Sequence, residues 1–272
     1  MKILKNIFVA ISVTLASFNA CAGVITAGGI TWDESPGGDM SADFQIQQWF
    51  ALPSSYGIGL DGQFILVDDS AFPHDPSSEL AGVGEFSEFS DGRGAIFGAP
   101  VFCAACELTF SFGGLIPESA SGEDIIFNTD NSWLNIYIDT TSTLSFPGGP
   151  YRNFNNYTAL SSDSHNDFTD AQDGTLWGEF KFDSFTLGPI DLSSRATFGQ
   201  LSIVGGLTDV VDYFTGKEVE MTSRLSFPGE SYYSDIAIGE FTSSSISEVP
   251  EPSTMAIFTL GLMGLGLRQF KK

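Results

Sequence analysis

Short runs of alternating apolar and polar residues, separated by Gly, Pro, Asp and Ser, most constrain the fold of this 272-residue chain. In 133–139 every second position is apolar, at Leu134, Ile136 and Ile138. Similar alternation occurs in 44–47, 108–112 and 219–227. Side chains of a strand point alternately to opposite faces, so each run is typical of a half-buried antiparallel strand. The sequence therefore predicts an all-β fold over 23–248, an antiparallel β-sandwich resembling a jelly roll.

One predicted strand changes phase part-way along its length. In 178–187 the apolar side chains occupy even positions up to Phe182 and odd positions from Phe185. One extra residue near Asp183 or Ser184 would return all of them to a common face. The pattern predicts a β-bulge or bend at this point.

The sequence contains short internal similarities: TSTLSFPG at 141–148 recurs as TSRLSFPG at 222–229, and the triplet Gly-Glu-Phe begins at Gly84, Gly178 and Gly239. Two copies do not make a repeat architecture, so we interpret these similarities as recurring strand and turn chemistry inside one domain. No segment of 24–248 has a convincing amphipathic helical period, and no helix is predicted there.

The N-terminal segment has the pattern of an export signal. A basic start, MKILK, precedes an apolar run and the small residues Ala20 and Ala22. This predicts a helical secretory signal peptide over 1–22, cut after Ala22 by signal peptidase. Two alternatives stay open: a buried N-terminal helix, and a lipid attached to Cys21.

Charge is concentrated between the two ends of the chain. Between Asp33 and Glu251, six Lys and Arg stand against all 34 Asp and Glu, which gives this part a net charge of −28. Such a surface repels nucleic acid and anionic lipid, and it attracts divalent cations. Nucleic acid is therefore not expected as a partner.

Two cysteines, Cys103 and Cys106, would remain after signal cleavage. A Cys-x-x-Cys pair can be a redox centre, half of a zinc site or a small disulfide. The strand-like ELTFSF that follows does not fit the helix of a thioredoxin motif, and neither His74 nor His165 has zinc-site spacing. In an oxidising compartment the prediction is a Cys103–Cys106 disulfide.

Residues 147–173 are predicted to form a long polar loop, which contains Asp163, Asp167, Asp170 and Asp173. Aspartate and loop carbonyl oxygens are the ligands that calcium prefers. The spacing departs from an EF-hand loop, so a solvated acidic loop is the alternative. Calcium is the one possible cofactor that the sequence suggests.

Motifs for catalysis are weak. The GIGLDG stretch at 57–62 precedes a strand-like run instead of a helix, which argues against nucleotide binding. No G-x-S-x-G nucleophile elbow is present. Carboxylates are so numerous that sequence cannot single out a glycosidase pair. We therefore expect that the protein is not an enzyme.

The C-terminal segment 249–272 has three parts. It begins with Val249, Pro250, Glu251 and Pro252, continues through the apolar run 255–267, and ends in basic residues. As a helix this run would be about 20 Å long, whereas the hydrocarbon core of a bilayer is about 30 Å thick. The basic end would stay cytoplasmic, which places the acidic body outside the inner membrane.

Together these three parts resemble the PEP-CTERM sorting signal of Gram-negative bacteria. The resemblance implies a single C-terminal hydrophobic helix, and processing near Pro250-Glu251-Pro252 by exosortase, a membrane-embedded cysteine transpeptidase-like enzyme. It also implies transient residence at the inner membrane and export to the cell surface or beyond, often in species that make exopolysaccharide.

The expected role is structural or adhesive, at the cell surface or in a biofilm or exopolysaccharide matrix. One alternative is a calcium-assisted glycan-binding module that uses the 147–173 loop and an exposed Trp. A less favoured alternative is a secreted glycoside hydrolase. The acidic body itself supplies no motif that decides among them.

Overall fold

The computed structural model describes residues 24–34, 39–51, 78–90, 96–98, 106–121, 124–140, 170–188, 195–225 and 237–245. In these residues the chain forms twelve strands and one short helix. The strands are β1 Val24–Ala27, β2 Ile30–Asp33, β3 Met40–Ala51, β4 Glu79–Ser90, β5 Ile96–Gly98, β6 Glu107–Ser121, β7 Asp124–Asn128, β8 Trp133–Asp139, β9 Thr175–Leu187, β10 Arg195–Gly206, β11 Lys217–Leu225 and β12 Ala237–Ser245. The helix, α1, spans Thr208–Phe214.

Eight of these strands close into an antiparallel barrel. In the order β3, β4, β6, β8, β9, β10, β11, β12, each strand pairs with the next. The ring closes where β12 pairs with β3, with Ser243 opposite Met40 and Ala237 opposite Ile46. Strand β5 extends the sheet beyond β4, and β7 pairs with β6 and β9. The ring order follows the chain order, so the architecture is an up-and-down barrel.

The predicted β-sandwich is wrong. A sandwich consists of two separate sheets with free edges, whereas each of the eight barrel strands has a hydrogen-bonded partner on both sides. Inward and outward residues alternate along a strand in both architectures, so the pattern in the sequence could not distinguish them. The all-β class and the antiparallel pairing are confirmed.

Phenylalanine rings fill the barrel interior. The Phe residues of the three Gly-Glu-Phe triplets meet there: the ring centroid of Phe241 lies 5.7 Å from that of Phe86 and 5.6 Å from that of Phe180, both edge to face. Phe44 and Phe110 join the cluster with centroids 5.2 Å apart. An eight-stranded barrel is just wide enough for side chains to fill it, so these rings form the core.

Glycines on the inner face make room for these rings. A Cβ atom at Gly84 would lie 2.2 Å from Cζ of Phe110, and one at Gly239 would lie 2.3 Å from the ring of Phe44. Each ring belongs to the neighbouring strand in the barrel. Glycine inside a strand often marks such a close approach. The triplets at Gly84 and Gly239 therefore combine a space for a neighbouring strand's ring with a ring of their own, whereas a Cβ atom at Gly178 would meet the ring of Phe180 in its own triplet.

The predicted irregularity in β9 is confirmed. Phe182 and Ser184 lie opposite consecutive residues of β10, which leaves Asp183 as the extra residue of a bulge. Asp183 is exposed, while Phe182 and Phe185 are buried with their ring centroids 5.3 Å apart. The bulge thus returns both rings to the core.

The β1–β2 hairpin and α1 cover one end of the barrel, which we call the capped end. The indole N–H of Trp177 donates to the carbonyl oxygen of Ala27 at 3.2 Å. The backbone N–H of Gly28 donates to Asp209 Oδ2 at 2.8 Å. Trp32 of β2 is fully buried, and its ring meets that of Tyr213 edge to face at 4.9 Å. The hairpin is therefore packed into the same core as the barrel.

The expectation of no helix in 24–248 was wrong because α1 is too short to show a period. Only Val210 and Phe214, four positions apart, are buried in it. Its packing comes from tertiary contacts: the Phe214 ring meets those of Trp177 and Phe180 edge to face. Two buried positions in seven residues give no usable sequence signal.

No helix among the described residues is long and apolar enough to cross a membrane. The predicted signal helix at 1–22 and the predicted hydrophobic helix at 255–267 both lie outside the described residues.

Candidate functional site

An open depression lies on the outer surface of β10, β11, β12 and β3. Its volume is about 510 Å³, and the side chains that give it its chemistry are Phe198, Arg224, Ile238, Asp43 and Glu240. We call it the outer depression. Register places Arg224 directly opposite Ile238, and Glu240 directly opposite Asp43. The site is therefore built on rigid strands of the barrel.

The outer depression combines exposed apolar groups with charge. Phe198 is 38% exposed and Ile238 is 71% exposed. Arg224 between them is exposed as well. An exposed ring can stack on an apolar face, and a guanidinium offers several donors to oxygen atoms. Such a mixture suits binding to another surface or to a polyhydroxylated chain.

Three carboxylates stand in register beside these groups. Asp43 of β3 lies opposite Glu240 on one side and opposite Glu88 on the other. Like charges placed directly opposite each other destabilise a sheet. Partial burial, and then the nearby Glu240 carboxylate, raise the pKa of Asp43 above its ordinary value of 3.8. Ser41 donates a hydrogen bond to Oε1 of Glu240 at 2.5 Å.

Replacing Asp43 with asparagine is expected to stabilise the barrel at neutral pH. Because the pKa of Asp43 is raised in the folded state, ionisation of this side chain lowers the stability of the fold. This loss of stability is absent below pH 3.8, and it grows as the pH rises through the folded-state pKa. The Asp43→Asn variant should gain about 0.2–1 kcal/mol at pH 7. Thermal unfolding at pH 7 and at pH 3 measures the difference.

The matched control is Asp212→Asn, which removes an exposed carboxylate of α1. It should leave the unfolding temperature nearly unchanged at both pH values. A gain for Asp43→Asn that persists at pH 3 would contradict the electrostatic explanation, and 1 M salt should shrink the gain at pH 7 because it screens exposed charges.

The C-terminal segment follows directly after the barrel. Ser245 ends β12, while Val249, Pro250, Glu251 and Pro252 lie outside the described residues. The family model of the PEP-CTERM protein-sorting motif matches residues 248–272. The chain carries a PEP-CTERM sorting motif. None of the curated proteins and none of the solved structures compared with the chain matches it.

The motif supports exosortase-dependent sorting of an exported protein, and it implies exosortase as the processing partner. The resemblance seen in residues 249–272 is thus confirmed by a match that covers the Pro-Glu-Pro triplet, the apolar run and the basic end. The motif supports location at the cell surface or outside the cell. The match to the family model covers the last 25 residues alone and gives no information about the barrel.

The predicted signal cleavage site, at Ala20 and Ala22, lies outside the described residues, and so does Cys103. Cys106 is buried immediately before β6 and is disulfide-bonded. The partner of Cys106 lies outside the described residues, so the Cys103–Cys106 pairing stays a prediction.

Half of the proposed calcium ligands can be placed. Asp170 and Asp173 are described, whereas Asp163 and Asp167 are not. The described part of the chain holds no group of three or more His, Cys, Asp or Glu side chains that could hold a metal ion. The calcium site stays a prediction.

The end of the polar loop has a structural role that the sequence did not suggest. Thr109 donates to the carbonyl oxygen of Ala171 at 2.8 Å, and Gln172 donates to the Ser111 hydroxyl at 3.0 Å. Segment 170–174 therefore covers the outer face of β6. This explains why Thr109 and Ser111, which alternation places on the outer face, are buried.

The tryptophans do not form the exposed platform that a glycan-binding module would need. Trp32, Trp49 and Trp177 are buried in the core, as expected for strand tryptophans, and Trp133 is half-buried. Among the strand residues whose burial the structure describes, the exposed ring is that of Phe198, which sequence reasoning missed. The alternation of side chains along β10 is the feature that could have indicated it, because Phe198 lies on the opposite face of the strand from the buried Thr197.

Proposed function

We propose that this PEP-CTERM protein is a structural or adhesive component of the cell surface or extracellular matrix, and that the outer depression is its contact surface. The observation that carries the proposal is the joining of a sorting motif to a rigid barrel with exposed Phe198, Ile238 and Arg224 on one face. Exposed apolar groups ringed by charge are typical of interaction sites. The net charge of −28 keeps the remaining surface soluble.

The test uses the native host with the chromosomal copy deleted. Complementation with the wild-type chain should restore protein in the surface fraction and cell aggregation. A Phe198→Ser, Ile238→Ser double variant should be exported and processed normally but recovered in the medium, with aggregation lost. Val204→Ser is the matched control, because Val204 is also on β10 and 59% exposed but lies outside the outer depression.

If the double variant aggregates cells as well as wild type does, the outer depression is not the contact surface. If deletion of the whole protein changes neither surface composition nor aggregation, the structural or adhesive role is wrong, while sorting by exosortase would stand. Recovery of the double variant inside the cell would indicate a folding defect, which thermal unfolding of the purified protein detects independently.

A second candidate function is binding of a neutral saccharide chain, and the exposed Phe198 ring favours it. Aromatic rings stack on the apolar face of a sugar, while Arg224, Asp43 and Glu240 can exchange hydrogen bonds with its hydroxyls. The acidic body would repel an anionic polymer. A glycan array with and without calcium tests this candidate, and binding that survives Phe198→Ser would contradict it.

A further inference from the structure

The first and last described residues, Val24 and Ser245, both lie at the capped end. Lys217, the first residue of β11 after α1, pairs with Ser245, the last residue of β12. Strand β3 begins at the same end, because its Met40 pairs with Ser243. The C-terminal sorting segment therefore starts beside α1.

The N-terminal segment enters at the same end. Strand β1 begins at Val24, two residues after the predicted cleavage site at Ala22. The hairpin is fixed to this end by the bond from Gly28 to Asp209 and by the 2.8 Å ion pair between Lys217 and Glu34. The ammonium group of Lys217 also lies 3.5 Å from the ring centroid of Tyr213.

The connection between barrel and motif is short. Residues 246–249 separate Ser245 from Pro250. At about 3.4 Å per residue, fully extended backbone spans at most about 17 Å between these two residues. The nine residues of β12 extend about 30 Å, or about 23 Å along the axis of a tilted barrel. Pro250 is thus held near the capped end and cannot reach the opposite end of the barrel, so an enzyme that acts at Pro250 meets the capped end first.

We propose that the capped end is the surface that faces exosortase during processing, with α1 and the following turn in contact with the enzyme. The inference rests on exosortase-dependent sorting of the chain. Among the described residues, the exposed charged groups on this surface include Asp39, Asp209, Asp212 and Glu218, while Lys217 is paired with Glu34. Such an acidic surface is repelled by anionic lipid, which favours a protein contact over flat seating on the bilayer.

Site-specific photocrosslinking in the native host tests the proposal. A photoreactive amino acid replaces Asp212 at the capped end or, as the matched control, Asp124, which begins β7 opposite Ser121 at the far end of β6; both are exposed aspartates. With a catalytically inactive exosortase to hold the full-length chain, crosslinks to the enzyme are expected from position 212 and not from position 124.

Lengthening the connection supplies a second readout. Inserting about twenty Gly and Ser residues after Ser245 extends the connection about fivefold, which lowers the effective concentration of the barrel end at the enzyme about tenfold. The crosslink from position 212 should weaken accordingly. Equal crosslinks from both positions, or a crosslink that the insertion leaves unchanged, would overturn the proposal.

Three other outcomes are informative. Crosslinks from position 212 to lipid alone would show that this end faces the bilayer and that the enzyme is not its partner, which also overturns the proposal. Failure of active exosortase to process even the wild-type chain would instead contradict the sorting assignment. Processing of wild type without a crosslink from position 212 would remove only the inference about the capped end.

Discussion

Alanine at Gly84 or Gly239 is expected to lower the free energy of unfolding by about 3 kcal/mol, the upper part of the range for overpacked cores. The added Cβ atom would lie 2.2–2.3 Å from a phenylalanine ring. It would also lie 2.3 Å from the carbonyl oxygen of Gln45 in the first case, and 2.5 Å from that of Thr222 in the second. Backbone in a closed barrel cannot move aside without disturbing its hydrogen bonds, so the strain is not relieved. Urea unfolding of the purified protein measures the loss.

Gly199 supplies a graded comparison. There a Cβ atom would meet the rings of Phe182 and Phe185 at 2.9–3.1 Å, and no backbone atom is among its closest neighbours. Small rotations of these rings can relieve the contact, so Gly199→Ala should cost about 1 kcal/mol. Ile238→Ala, next to Gly239 but exposed, should be nearly neutral. Equal losses at Gly84 and Gly199 would contradict the packing argument.

Replacing Pro250-Glu251-Pro252 with three alanines is expected to abolish processing in the native host. These residues lie within the matched PEP-CTERM sorting motif, and exosortase is the partner that the motif implies. The full-length chain should accumulate in the membrane fraction, and the surface form should disappear. Immunoblots of membrane, surface and medium fractions measure the distribution, and mass spectrometry of the wild-type product locates both cleavage sites.

Ser247→Ala is the control for this variant, since Ser247 lies one residue before the matched segment. It should be processed like wild type. A strain without exosortase should reproduce the accumulation with the wild-type chain. Normal surface delivery of the triple-alanine variant would show that the motif does not direct processing of this protein.

The sequence predicted local properties of the fold better than its closure. Alternation at Leu134, Ile136 and Ile138 identified a buried face, and the change of phase near Asp183 identified a bulge, because both depend on neighbouring residues. Closure depends on pairing between β3 and β12, which are about 200 positions apart and carry no signal for each other. The sandwich prediction failed at this step.

The Gly-Glu-Phe triplets did contain information about closure. Three inward glycines, each followed two positions later by an inward Phe, indicate an interior too narrow for large residues at every position. Their recurrence along the chain indicates by itself only similar strand and turn chemistry. The geometric reason is visible only once Phe86, Phe180 and Phe241 are found in one cluster.

The candidate sites also differ in whether local sequence could predict them. The sorting motif could be predicted because its three parts are contiguous in 249–272 and need no tertiary structure to be recognised. The outer depression draws on four strands, from Asp43 to Glu240, so no local pattern indicates it. Phe198 and Ile238 are ordinary strand residues until the register places Arg224 between their strands.

The pairing of β3 with β12, which closes the barrel, also sets the time at which this protein can finish folding. A chain that crosses the inner membrane from its N-terminus delivers β3 early and β12 last, so one edge of β3 has no barrel partner until residues 237–245 arrive. Exposed strand edges invite aggregation, and long-range closure is slow. The sorting motif at 248–272 follows β12 almost at once. Retention of that segment in the membrane would keep each newly exported molecule apart from its neighbours while its barrel closes, so that release by exosortase would free a chain whose edges are already paired.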